Sequence, residues 1–264
     1  MRLERHLRAR RDRGHKLLVP YVTGGLGGAW IDVVRAVADG GADAIEIGIP
    51  FSDPVMDGRT IQEASQRALA LGATPAKIVA EAGQLEVGVP LAVMTYCNPV
   101  QHAGFERFAT ELSESGIDAA IVPDLPLDEL DVPPDGDAKG WGAAAGAAGI
   151  ETVLLAAPTT PDDRLRAICE RSQGFVYGVS LMGVTGERDQ VATQAGEMGR
   201  RLKAATDKPV LLGLGISTPA QAAEAAGLAD GVIVGSALVR RVLDGGGPEA
   251  AGAFVASLRE ALDG

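Results

Sequence analysis

At 264 residues and 46% hydrophobic content the chain can bury one large core, and a length of about 250 residues is typical of a single α/β barrel. A net charge of −11 argues against nucleic acid and anionic membranes as partners, since both reward basic surfaces. Only two cysteines occur, Cys97 and Cys169, too far apart in sequence for a C-x-x-C pair, so neither a disulfide framework nor a thiolate metal site is signalled and a reducing, cytoplasmic setting is expected.

Residues 1–15 are arginine-rich, carry Glu4 and Asp12, and lack the apolar stretch of about 7–15 residues that marks a secretory leader; a short amphipathic helix is expected there. The first Val/Ile/Leu-rich run, 17–23, contains Tyr21 and leads to Gly24-Gly25 before an amphipathic helix over 30–39. The second, 44–49, sets Glu46 between Ile45 and Ile47 and enters a proline-broken loop that carries Asp53 and Asp57. The third, 90–97, ends in Thr95-Tyr-Cys-Asn98, precedes a helix over 105–114, and is followed by a fourth run, 119–124, ending in Pro123-Asp124. The glycine-rich stretch 133–149 resembles a linker, but a domain boundary there would interrupt the strand series, so it is read as a loop and a weak helix. Runs at 151–157 and 174–180 follow, with a helix over 162–171 between them; the second of these runs carries Tyr177 and leads to Gly183-Val-Thr-Gly186. After a helix over 190–204 come the last two runs, 209–215, ending in Gly213-Leu-Gly-Ile-Ser217, and 231–236, ending in Gly235-Ser236. None approaches the roughly 18 apolar residues of a membrane span.

Continuous apolar runs that alternate with helices imply a parallel sheet covered by helices. Eight units in 264 residues leave about 33 for each, the size of one βα repeat. A closed (β/α)8 TIM barrel with an extra N-terminal helix, one domain over 1–264, is therefore expected in preference to an open doubly wound sheet.

Active sites of such barrels lie at the C-terminal ends of the strands. Glu46 is costly to bury between two isoleucines; a structural salt bridge would account for it, and so would acid/base catalysis. Gly213 to Gly215 and Gly235-Ser236 end the last two strands, and backbone N–H groups there, with the Ser236 hydroxyl, suit a phosphate. Lys16, Lys77, Lys139, Lys203 and Lys208 all fall in helices, loops or just before strands, so none is placed as a Schiff-base nucleophile. His6, His15 and His102 form no ligand cluster, and no G-x-G-x-x-G follows the first strand. What remains is carboxylate acid/base chemistry on a phosphorylated small molecule, with tyrosines and an asparagine to orient it. Each residue also has a plainer use: Asp53 and Asp57 as turn or cap residues, Tyr177 as a core aromatic, Asn98 and Asp124 as loop supports, the cysteines as packing.

Five motifs in order, Pro20-Tyr-Val-Thr-Gly24, Glu46-Ile-Gly-Ile-Pro-Phe-Ser-Asp-Pro-Val-Met-Asp-Gly58, Gly183-Val-Thr-Gly186, Gly213-Leu-Gly-Ile-Ser217 and Gly235-Ser236-Ala237, resemble the tryptophan synthase α-subunit family across nearly the whole chain. The resemblance implies a lyase that cleaves indole-3-glycerol phosphate to indole and glyceraldehyde 3-phosphate by a retro-aldol reaction without metal or organic cofactor, in an α2β2-type complex with a pyridoxal-phosphate-dependent β subunit. It implies Glu46 as general acid/base, Asp57 as the carboxylate receiving the indole N–H, Tyr177 beside the glutamate and Tyr21 in the indole pocket. Gly186, Gly215, Gly235 and Ser236 would bind phosphate. The 183–196 segment would be a mobile lid closing against the 50–58 loop, with Asp53 and Thr185 coupling the loops to the partner. Leu181-Met182 stands where some relatives carry a charged or polar pair, which puts lid contacts and coupling in question. A free-standing indole-releasing lyase, a non-catalytic regulatory subunit and a sugar-phosphate isomerase are the competing functions.

Overall fold

A computed structural model describes residues 2–133, 139–179 and 188–264, the side chains of 188–195 excepted. The chain begins with α1 (Leu3–Arg11), β1 (Leu17–Thr23), α2 (Trp30–Asp39) and β2 (Ile45–Gly48), then continues through α3 (Arg59–Ala70), α4 (Pro75–Ala82) and β3 (Leu91–Met94). Next come α5 (Cys97–Ala103), α6 (Phe105–Glu114), β4 (Ala119–Ile121), α7 (Trp141–Ala148), β5 (Glu151–Ala156) and α8 (Asp162–Arg171). The last third holds β6 (Val176–Val179), α9 (Arg188–Ala205), β7 (Val210–Gly213), α10 (Pro219–Ala226), β8 (Gly231–Val234), α11 (Ser236–Leu243) and α12 (Gly247–Asp263). The strands pair in parallel in chain order and β8 closes onto β1, giving the expected barrel.

Most strands are shorter than the apolar runs that contain them. Only β1 keeps its full run; in the third run Cys97 opens α5, and in the fourth Val122 to Asp124 already form a turn beyond Ile121. The excess is the material of the strand-end loops.

Alternation along each strand separates two cores. Ile45, Ile47, Val93, Val176 and Leu212 point outward into the main core beneath the helices. Leu17, Val19, Ala44, Ala92, Ile121, Val153, Phe175 and Leu211 fill the barrel interior. α1 closes the N-terminal end of the barrel, with Leu3 and Leu7 buried in the interior cluster. Its first N–H groups find an acceptor in the buried Glu151, at 2.7 Å from Leu3 N and 3.0 Å from Glu4 N. A helix start cannot supply its own acceptors, so a carboxylate from the base of β5 replaces the missing cap.

The glycine-rich region does contain a short helix, α7, ended by Gly149 in the left-handed conformation (φ 77°). Its anchor is Trp141, fully buried against Phe105 and Phe108 at centroid distances of 6.0 and 6.2 Å. One large aromatic does the packing that seven alanines and glycines cannot.

Candidate active site

Because Ile45 and Ile47 face the helices, Glu46 faces the barrel interior, where β1 sets Tyr21 opposite it and β3 sets Ala92 on its other side. The next inward position on β2 is Gly48, and a Cβ there would fall on the Tyr21 hydroxyl. Glycine at that position is what lets the tyrosine ring lie across the mouth of β2. Glu46 is 1% exposed and its Oε2 has no hydrogen-bond partner among the described residues. Loss of hydration, and secondarily the charge of Asp57, push its pKa up to about 8, so the carboxyl is mostly neutral at pH 7.

Asp57 lies on the loop between β2 and α3 and is half-buried. Burial raises its pKa to about 6, and the Tyr96 hydroxyl, which donates to Oδ2 at 3.1 Å, opposes that rise. Tyr96 also accepts from Met56 N at 2.9 Å and stacks on Phe51 at 5.1 Å, so one side chain after β3 straps the loop at three points. Gln62 of α3 donates to the Asp57 carbonyl at 2.9 Å. Tyr96 was not among the expected site residues. Its signal in the sequence was its place at a strand end in a chain with only three tyrosines.

Tyr177 enters the interior from β6 beside Phe175, with ring centroids 6.0 Å apart. A Cβ on Gly213 would meet its ring at 2.6 Å, so β7 is kept bare to admit it. Desolvation, then the nearby Glu46, hold its hydroxyl well above the ordinary tyrosine range. Tyr21 is shifted the same way by burial and by Asp57, and both phenols stay protonated. Glu46, Tyr21 and Tyr177 thus face the barrel interior, and Asp57 approaches them from the loop after β2.

On the neighbouring side, Gly215 after β7 is exposed with φ 68°, a conformation that disfavours any side chain. Gly235 follows β8 as the N-cap of α11, and Ser236 opens that helix exposed to solvent. The first N–H groups of α11 have no intrahelical acceptor and lie at the strand ends, an arrangement suited to an anion.

Several other residues make local contacts. Asp53 is exposed and accepts from Ser52 Oγ at 2.7 Å, a turn contact. Asp124 accepts from Cys97 N at 2.8 Å and so caps the start of α5, on which Asn98 is exposed. Cys169 packs in the main core. Leu181, Met182, Gly183, Thr185 and Gly186 lie outside the described residues; of the expected lid, residues 188–196 belong to α9. Among the described residues no helix is long and apolar enough to cross a membrane.

The sequence profile of the family described as "Tryptophan synthase alpha chain" matches residues 7–253. The chain belongs to the tryptophan synthase alpha chain family. Similar proteins of that description include one from Streptomyces coelicolor, 46% identical over 90% of this chain and 86% of its own. Another, from Methanosarcina mazei, is 48% identical over 89% and 84% respectively. Among solved structures, a Mycobacterium tuberculosis tryptophan synthase chain superposes with a TM-score of 0.89 at 38% identity, covering 99% of this chain and 98% of that one. A Legionella pneumophila tryptophan synthase alpha chain gives 0.86 at 31% identity, over 99% and 97%. The protein is therefore a lyase of tryptophan biosynthesis, and its reaction is the family's, cleavage of indole-3-glycerol phosphate as part of the synthase complex.

Proposed function

We propose that Glu46 and Asp57 divide this cleavage between them, in one domain spanning 1–264 that works in the cytoplasm. The supporting observation is that burial pushes the pKa values of two neighbouring carboxyls up to about 8 and about 6, so near pH 7 one carries a proton and the other a charge. Glu46 gives its proton to indole C3, which becomes tetrahedral and leaves positive charge on the ring nitrogen. Asp57 accepts the N–H hydrogen bond and stabilises that charge. The Glu46 carboxylate then takes the proton of the hydroxyl on the carbon attached to the ring. The C3–carbon bond breaks, its electrons restore the aromatic indole, the oxygen becomes the aldehyde of glyceraldehyde 3-phosphate, and Glu46 is again protonated. No redox change or cofactor is needed to balance these steps.

Tyr21 and Tyr177 wall the indole pocket, and Gly186, Gly215, Gly235 and Ser236 hold the phosphate through N–H groups and one hydroxyl. The 50–58 loop, with Asp53, and Thr185 couple the site to the β subunit that receives indole. Val55 and Met56, both exposed on that loop, fit a partner-covered surface.

The test is release of glyceraldehyde 3-phosphate from indole-3-glycerol phosphate, with and without a β subunit, beside Glu46→Gln and Asp57→Asn. Losses of about 10²–10⁴ in kcat for both variants are expected, with KM little changed. Turnover surviving in either variant would remove that residue from its role, and full turnover without a partner would favour a free-standing lyase.

A further inference from the structure

The groups that handle the ring and the phosphate stand at the starts of different helices, and those helices are joined. Asp57 stands immediately before α3, its carbonyl tied to Gln62 of the first turn at 2.9 Å. Ser236 opens α11. Ile61 and Ala64 of α3 and Val239 of α11 bury together with Tyr21 and Leu26 in a small cluster apart from the two larger cores. At the outer edge of this seam Arg240 of α11 donates to Glu63 Oε2 at 2.7 Å and to Thr60 Oγ1 at 3.4 Å, both on α3. Asp244 approaches the same guanidinium at 3.8 Å.

The Arg240 and Glu63 side chains are 42% and 54% exposed, so as a contribution to folding their bridge is weak. Its placement has a different consequence: it links α11, whose N-terminus faces the expected phosphate, to α3, the helix that follows the Asp57 loop. Binding energy from a non-reacting group raises kcat when it is used to position the reacting ones.

We propose that Arg240 and Glu63 are positioning residues that make phosphate occupancy at α11 set the place of Asp57. This rests on the assignments of Asp57 and Ser236 made above. Phosphate is then an activator of the chemical step as well as a handle for binding.

The experiment uses the full chain with its β subunit and a phosphate-free indole glycerol as substrate, with inorganic phosphate added in trans. Phosphate accelerates cleavage by the wild type. Arg240→Ala and Glu63→Ala each reduce that acceleration, and kcat on indole-3-glycerol phosphate, by about threefold to fivefold, the upper part of the range of an exposed pair. Their KM stays near the wild-type value, and the double reversal Glu63→Arg/Arg240→Glu restores kcat. A merely structural bridge would lower thermal stability without this split between kcat and KM. Equal acceleration in wild type and single variants, or additive losses in the reversal, overturns the coupling. No acceleration in the wild type overturns it too. In that case Ser236→Asp decides the wider reading: a raised KM keeps the phosphate assignment, and an unchanged one removes it.

Discussion

Glu46 and Asp57 differ because of what surrounds each carboxyl. Glu46 has apolar walls and an unpartnered oxygen, whereas Asp57 keeps a tyrosine donor and partial access to water. If the active form has Glu46 protonated and Asp57 ionised, kcat/KM is bell-shaped, rising through about pH 6 and falling through about pH 8. Tyr96→Phe removes the hydrogen bond that opposes the rise at Asp57, so the acid limb moves to higher pH while the basic limb stays. A pH profile with an unmoved acid limb would show that Tyr96 does not tune Asp57. The same burial has a stability signature. Folding raises the Glu46 pKa from 4.5 to about 8, so the folded state holds the extra proton and stability falls as pH rises across that window. Urea titrations should show Glu46→Gln gaining on the wild type as pH climbs from 5 to 8.

Among the elements, α1 and α7 each meet a buried side chain that secures them, Glu151 at the start of α1 and Trp141 within α7. α7 was legible as a weak helix, and Trp141 explains why it is ordered. α1 was legible as an amphipathic stretch, but its docking beneath the barrel depends on Glu151, which lay unremarked at the start of the fifth apolar run. Glu151→Gln keeps the shape, removes the charge and leaves one α1 N–H without a good acceptor. The expected cost is about 2 kcal/mol, the range for hydrogen bonds to a charged group, read from urea denaturation. Hydrogen exchange in residues 3–11 should quicken, while kcat, set at the opposite end of the barrel, holds. Slow exchange in the variant would mean that Leu3 and Leu7 alone dock the helix.

For the molecule as a whole, the barrel assigns its two ends different tasks. The N-terminal end is sealed by α1 and ion pairs such as Arg10–Asp43 at 2.7 Å and Lys203–Asp230 at 2.8 Å. The C-terminal end holds the carboxyls and an apolar loop tip, with Val55 74% and Met56 48% exposed. A charge at that tip would oppose burial against a partner. Val55→Asp is expected to weaken β-subunit binding about tenfold or more, as for a residue in an interface centre, with the thermal stability of the isolated chain unchanged. Unaltered affinity in a calorimetric titration would place the interface elsewhere.

By itself the sequence determined the number and order of the strands, the inward direction of Glu46 and the glycine-serine turns after β7 and β8. Each of these follows from a local pattern: a period of two in a strand, a helix start, a residue without a Cβ. The tertiary structure alone decided which distant groups meet. Tyr96 reaches Asp57 across 39 residues, Glu151 reaches Leu3 across 148, and Arg240 reaches Glu63 across 177. Periodicity says which face a side chain takes but carries no information about which other strand's loop will stand opposite. That is set when the barrel closes, β8 meets β1, and the strand ends converge on one mouth.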